Sequence, residues 1–189
     1  MIEAIQLGET GSRFIYQGSQ FLTPLLGLAN VYNCLAALCL TSQLGLRPEE
    51  QRQAIAEVKA ESGRLEPIHH NGLFIINDTY NANPVSMKNS IDFVATIKRN
   101  KIFILGDMKE LGTHSKTLHQ NIGEYAKKHC DMLLTYGDEA RLYGGRHFKT
   151  KDILVRYVID NVDGEEAILV KASRILQFEE IVNEIVRRY

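Results

Sequence analysis

Three short segments concentrate the side chains able to do chemistry. NDTYNANP (77–84) packs an acid, two hydroxyls and three amides into eight residues. GDMKELG (106–112) offers Gly106 for close backbone approach and Asp107, with Glu110 and Gly112 following. KASR (171–174) carries two cations and a hydroxyl, a set able to hold a carboxylate or phosphate, Arg as a planar fork and Lys as a point charge. Each also has a purely structural reading. In the first, Asn83 is a helix N-cap and Pro84 the first helical residue, which accounts for those two and leaves Asp78, Thr79, Tyr80 and Asn81 unexplained. The second reads as a loop before a helix, the third as a solvated helix start.

Other chemistries are disfavoured by spacing. His69 and His70 are adjacent and His114 and His119 lie five apart, so neither pair has the one-face spacing of a helical metal site, and no metal ligand is expected. Cys34, Cys39 and Cys130 form no CxxC pair and are odd in number, which argues against a disulfide framework and for core packing. Cys34 and Cys39 share a predicted helix but point roughly 140° apart around it. The sequence contains no GxSxG and no GxxxxGK[ST].

The elements that must position the three segments are legible from about residue 68 onward. Runs of Ile, Leu, Val and Phe at 73–78, 101–106, 131–137 and 167–172 read as strands, and 84–99, 116–129, 151–159 and 178–188 read as helices, with a further short helix after residue 137. The alternation predicts an α/β, Rossmann-like doubly wound sheet, and the near-continuous apolar strands predict that it is mostly parallel and covered on both faces. Ligands of such sheets bind beyond the carboxyl ends of the strands, where the three polar segments fall. Residues 1–60 break this rhythm. A strand or two, with a hairpin turn at GETG (8–11), leads into a helix over 29–42 and a second from Pro48, which points to a different domain with a boundary at about 61–68.

Composition narrows the partners. With 44% hydrophobic and 24% charged residues and a formal net charge of −1, the chain lacks the basic footprint of a nucleic-acid binder. FLTPLLGLA (21–29) falls far short of the roughly 20 residues needed to cross a bilayer. MIEAIQLGET lacks a basic start and apolar run, so no secretion signal is read and a cytoplasmic location is expected.

Taken in order, GLANVYNCLAA (27–37), SGRLE (62–66), NDTYNANPVSMK (77–88), ILGDMKELG (104–112), His119 and VKASR (170–174) resemble Mur ligases of the MurF type. The resemblance runs from about residue 20 to the end. NANP with GDMxELG is specific to that branch, whereas sister ligases and folylpolyglutamate synthases share only the Asn, Arg and Asp landmarks. In such enzymes a UDP-binding domain and a central ATPase domain with a GKT loop precede a Rossmann-like C-terminal domain. The resemblance therefore implies that residues 1–62 are the C-terminal tail of the central ATP-binding domain and 63–189 the C-terminal domain, the N-terminal and remaining central domains being its missing partners.

By resemblance, Asn33 contacts adenine with Asn30 supporting it, and Arg64 and Asp78 hold the ATP ribose or phosphates. Tyr80, Asn81, Asn83 and Asp107 face the reacting peptide ends, and Lys171, Ser173 and Arg174 place the incoming dipeptide or its carboxylate. No catalytic residue is assigned within the chain. The implied reaction uses ATP with Mg²⁺ to phosphorylate a carboxylate of UDP-N-acetylmuramoyl-tripeptide, and the amine of D-alanyl-D-alanine attacks the acyl phosphate, a step of peptidoglycan synthesis on which cell shape and division depend. Two positions depart from the family pattern: Ala29 stands where His is usual and Ala172 where Gly is usual. Without a phosphate loop the isolated chain is expected to be inactive. The alternatives are a standalone nucleotide-binding or interaction module, and a ligase of the same superfamily with another substrate.

Overall fold

The computed structural model describes residues 2–189, which divide into two compact units, one up to Glu61 and one over Ser62–Tyr189. The first unit opens with an antiparallel meander of β1 (Ile2–Gly8), β2 (Gly11–Tyr16) and β3 (Ser19–Thr23), one strand more than the sequence suggested, with the expected hairpin turn at Glu9–Thr10. Two helices follow, α1 (Leu28–Gln43) and α2 (Pro48–Glu57), the latter with Pro at its first position and Glu49 and Glu50 in its first turn, as the helix dipole favours. Phe14, Phe21, Val31, Cys34, Leu38 and Ile55 form its core. Buried Gln51 donates to Leu38 O and lies within hydrogen-bonding distance of the Thr41 and Ser42 hydroxyls, joining the two helices. Of the cysteines, Cys34 is in the core as expected. Cys39 is not: it is exposed beside the Tyr16 hydroxyl, because five residues along α1 carry it off the buried stripe.

The second unit contains β4 (Glu66–His70), β5 (Leu73–Asn77), α3 (Pro84–Ala95), β6 (Asn100–Gly106), α4 (Ser115–Lys127), β7 (Met132–Tyr136), β8 (Arg146–Phe148), α5 (Lys151–Ile159), β9 (Glu166–Lys171) and α6 (Glu179–Arg188). Six strands form one sheet in the order β4-β5-β9-β6-β7-β8, parallel throughout except for the edge strand β4. The expected short helix after β7 is a 3₁₀ turn, Ala140–Tyr143. Edge strands β4 and β8 carried no clear apolar run and were not anticipated.

Period-2 alternation explains how both faces are covered. Leu73, Ile75, Ile102, Ile104, Leu134, Ile168 and Val170 pack with Leu154, Val158, Ile181 and Ile185 of α5 and α6. The intervening Phe74, Ile76, Phe103, Leu105, Leu133 and Leu169 are equally buried and point to the other face, where α3 packs against α4 and β9. Strand β9, last in sequence, sits between β5 and β6. The chain leaves β5 for α3 on one face and leaves β9 for α6 on the other, so the carboxyl ends of these neighbours form a topological switch point.

Candidate functional site

The polar segments after β5, β6 and β9 meet at this switch point. Asn77 ends β5 opposite Val170, and Asp78 continues the ladder by donating its backbone N–H to Val170 O at 3.0 Å. Asp78 is only 8% exposed, so its carboxylate must be paired inside the protein. Oδ1 accepts the Leu65 N–H at 3.1 Å; Oδ2 accepts from the Ser90 hydroxyl at 2.5 Å and lies 2.6 Å from the Lys171 ammonium. The same ammonium donates to the Asn81 carbonyl at 2.9 Å. The reading of KASR as a solvated helix start thus fails: Lys171 is buried with its charge turned inward, and only the 3₁₀ turn Arg174–Leu176 follows before α6.

Ser173, two residues on and on the same side of the strand path, ties the remaining segments together. Its N–H donates to Asp107 O at 2.9 Å, and its hydroxyl accepts the Lys109 N–H at 2.8 Å and donates to Ala82 O at 3.4 Å. Ala172 between them is fully buried with an ordinary negative φ, so the loop does not need glycine there. Gly106 gives close approach, but to the protein itself: a Cβ there would lie 2.4 Å from the Phe178 ring and 2.7 Å from Ala172 Cβ.

Asp107, 2% exposed, turns its carboxylate toward the start of the 3₁₀ turn after β7. Oδ1 accepts the Glu139 and Ala140 N–H groups at 3.0 and 2.7 Å, Oδ2 accepts that of Asp138 at 3.2 Å, and the Lys109 ammonium lies 2.8 Å from Oδ2. The Asp107 carboxylate raises the Lys109 ammonium above its ordinary value, so it stays charged. His119 is fully buried behind this loop, where Nε2 accepts the Met108 N–H at 3.0 Å and Nδ1 lies 2.8 Å from Ser115 O, an arrangement that requires the tautomer protonated at Nδ1. Burial, followed by Asp107 and Glu139, pushes the Tyr143 phenol well above its usual range, and its hydroxyl donates to Gly106 O.

What remains open to solvent is a smaller set. Tyr80 is 45% exposed and the Arg64 guanidinium lies 3.8 Å from its ring centroid. Asn81, Asn83 and Arg174 are exposed, Arg174 being paired with Glu179 at 2.9 Å. Asn83 is the N-cap of α3, accepting the Ser86 N–H, with Pro84 at the first helical position as expected. A cleft of about 400 Å³ lies beyond β6, β7 and β8, lined by Lys109, Tyr136, Arg141, His147 and Lys149 among others. In the first unit, Asn30 donates to Leu26 O at 2.9 Å and its Oδ1 accepts from the exposed Asn33 at 3.2 Å. Sequence reasoning thus named the residues at the strand exits but missed those that hold them. Lys109, inside the quoted GDMKELG and two residues from Asp107, had a signal; Ser90 and Glu139 had none. Among the described residues no group of three or more His, Cys, Asp or Glu is arranged to hold a metal, and no helix is long and apolar enough to cross a membrane.

The loops that meet at this switch point fall within residues 63–174, which match the model of the Mur ligase, glutamate ligase domain. The chain belongs to the Mur ligase family. It is 32% identical over 202 residues to the UDP-N-acetylmuramoyl-tripeptide–D-alanyl-D-alanine ligase of Bacillus subtilis (98% of this chain, 44% of the relative). The enzyme of the same name from Escherichia coli is 32% identical, covering 87% of this chain and 38% of that one. Among solved structures, a MurF from Acinetobacter baumannii superposes with a TM-score of 0.88 at 25% identity, over 99% of this chain and 44% of that chain. The fold also matches a MurF ligase from Thermotoga maritima in complex with ADP, with a TM-score of 0.88 at 23% identity over 98% of this chain and 45% of that one. The chain spans less than half the length of these relatives.

Proposed function

We propose that this chain is the C-terminal portion of a cytoplasmic ligase that joins D-alanyl-D-alanine to UDP-N-acetylmuramoyl-tripeptide in peptidoglycan synthesis. The observation that carries the reading is the convergence of 78–84, 107–112 and 171–174 at the carboxyl ends of β5, β6 and β9, in a chain aligned along nearly its whole length with ligases of that name. In this reading residues 1–62 are the tail of the central ATP-binding domain and 63–189 are the whole C-terminal domain.

On the first unit, Asn33 is assigned to adenine, with Asn30 orienting its amide. On the second, Arg64 and Asp78 are assigned to the ribose or phosphates of ATP. The fit is supported by the Asp78 carboxylate, whose Oδ1 accepts a single hydrogen bond and so keeps capacity for a hydroxyl. Tyr80, Asn81, Asn83 and Arg174 form the exposed wall assigned to the peptide and dipeptide, behind which Asp107, Lys171 and Ser173 set loop geometry. ATP, with Mg²⁺ neutralising its phosphates, activates the tripeptide carboxylate, and the chain's own contribution is to orient the attacking amine.

The phosphate loop this chemistry requires is absent from the 189 residues. The chain alone is therefore expected to release no phosphate from ATP, whereas the complete protein releases it only when tripeptide precursor and D-alanyl-D-alanine are both supplied. Turnover by the chain alone would establish a standalone enzyme, and turnover with a different amine would move the protein to another branch of the family.

A further inference from the structure

We propose that Lys171 serves this ligase as a positioning residue, fixing which atoms of Asn81 face outward beside Asn83, and does not itself touch the dipeptide; this rests on the function proposed above. Lys171 is the last residue of β9, paired across to Leu105 of β6. Its side chain is 3% exposed, and its ammonium is committed to Asp78 Oδ2 at 2.6 Å and the Asn81 carbonyl at 2.9 Å. A long cation would ordinarily reach water with its head group. Here it is drawn under the loop that follows β5.

Pinning the Asn81 carbonyl fixes the peptide plane between Asn81 and Ala82. The Ala82 N–H then donates to Asn81 Oδ1 at 2.8 Å, and the Ala82 side chain is buried. Holding Oδ1 against the backbone turns the other end of the exposed Asn81 amide, its NH₂ group, away from it. Asn83 is oriented in the same sense by its own helix cap, its Oδ1 accepting the Ser86 N–H. Two side-chain amides two residues apart therefore have their oxygens turned to the backbone and their NH₂ groups unengaged, a pair suited to a carboxylate. The charge that keeps this polarity lies beneath them and is neutralised by Asp78, so it shapes the loop without competing for the ligand.

The test uses Asp78→Asn as reference, since it keeps an acceptor for the ammonium, and the uncharged double variant Asp78→Asn/Lys171→Met, which avoids leaving a buried charge alone. In the complete ligase the double variant should melt no lower than the reference, which keeps the buried ammonium without its counter-charge, and share its KM for ATP, while its KM for D-alanyl-D-alanine rises at least tenfold. An unchanged dipeptide KM overturns the proposal. Amide exchange in the 189-residue chain needs no substrate and separates this failure from failure of the functional reading. The Ala82 amide should exchange at least tenfold faster in the double variant, with β5 and β9 unaltered. Unaltered Ala82 exchange shows that Lys171 does not hold the loop, whatever the enzyme's substrate.

Discussion

Two aspartates leave the sheet one residue beyond β5 and β6, on either side of β9, and spend the same charge differently. Asp78 is bound by one backbone N–H, a hydroxyl and an ammonium that come from residues 65, 90 and 171. Asp107 is bound by three consecutive backbone N–H groups at 138–140 and by Lys109. The first joins distant segments around an exposed loop; the second closes the start of a local turn, as an anion does at a helix N-terminus. Identical residues at equivalent strand exits can thus support an exposed loop or close a buried turn, and the neighbours that decide between them are remote in sequence.

The largest expected effect is on stability, and it separates the two sites. Asp78→Ala strands the Lys171 ammonium, whose side chain is 3% exposed, and should cost about 3–5 kcal/mol in urea unfolding followed by circular dichroism. Asp107→Ala removes more hydrogen bonds but leaves Lys109, 39% exposed, free to rehydrate, and should cost about 2–3 kcal/mol. The reverse order would mean that backbone capping outweighs the buried pair.

Glycines beside the two carboxylates sharpen the contrast. Gly137 has φ +127°, and a Cβ there would lie 2.3 Å from Asp107 Oδ1, so Gly137→Ala must displace the carboxylate as well as strain the backbone, at about 2–3 kcal/mol. Gly63 has φ +73° and its nearest neighbour would be Tyr80 N at 3.1 Å, a contact that small shifts relieve; Gly63→Ala should cost about 1 kcal/mol. Equal midpoints for the two variants would show the Asp107 turn to be as yielding as the Asp78 loop. On the surface of that loop, Tyr80→Ala removes the ring beneath Arg64 and should lower stability by less than about 1 kcal/mol, the scale of an exposed cation–π contact. A larger loss would make Tyr80 part of the frame.

The same contrast explains what the sequence made legible. Apolar runs announced β5, β6, β7 and β9, and Asn83-Pro84 announced the start of α3, because burial on both faces and capping are local requirements. Strand β4 was missed although its hairpin had a readable signal: Asn71 and Gly72 both have positive φ (46° and 89°), the Asn-Gly pair that a two-residue turn favours. The strand itself, EPIHH, lies at an edge and needs no apolar run. Lys171 was read as an available cation because nothing in KASR reveals that Asp78, 93 positions earlier, lies 2.6 Å away. That proximity exists only because the last strand inserts between β5 and β6, a topological fact absent from local pattern.

The smallest effect lies on the Asp107 side and is read from pH. His147 on β8 has Nδ1 3.1 Å from the Thr135 hydroxyl and accepts the Arg141 Nε–H at Nε2, 3.2 Å away. Burial, then the Arg141 charge, hold the imidazole below its ordinary value, while Asp107 and Asp138 act the other way. A depressed folded-state value means that just below pH 6.5 the unfolded chain binds more protons than the folded one, so stability rises with pH across that window. The contribution is fully present above the unfolded value and is lost as pH falls through the folded one. Because His147 is only partly buried, on the wall of the cleft beyond β8, the linked uptake should be a fraction of one proton. Urea midpoints should therefore rise modestly from pH 5.5 to 7, and His147→Gln should flatten part of that rise. If His147→Gln leaves the slope intact, the acid sensitivity of the Asp107 side does not come from His147.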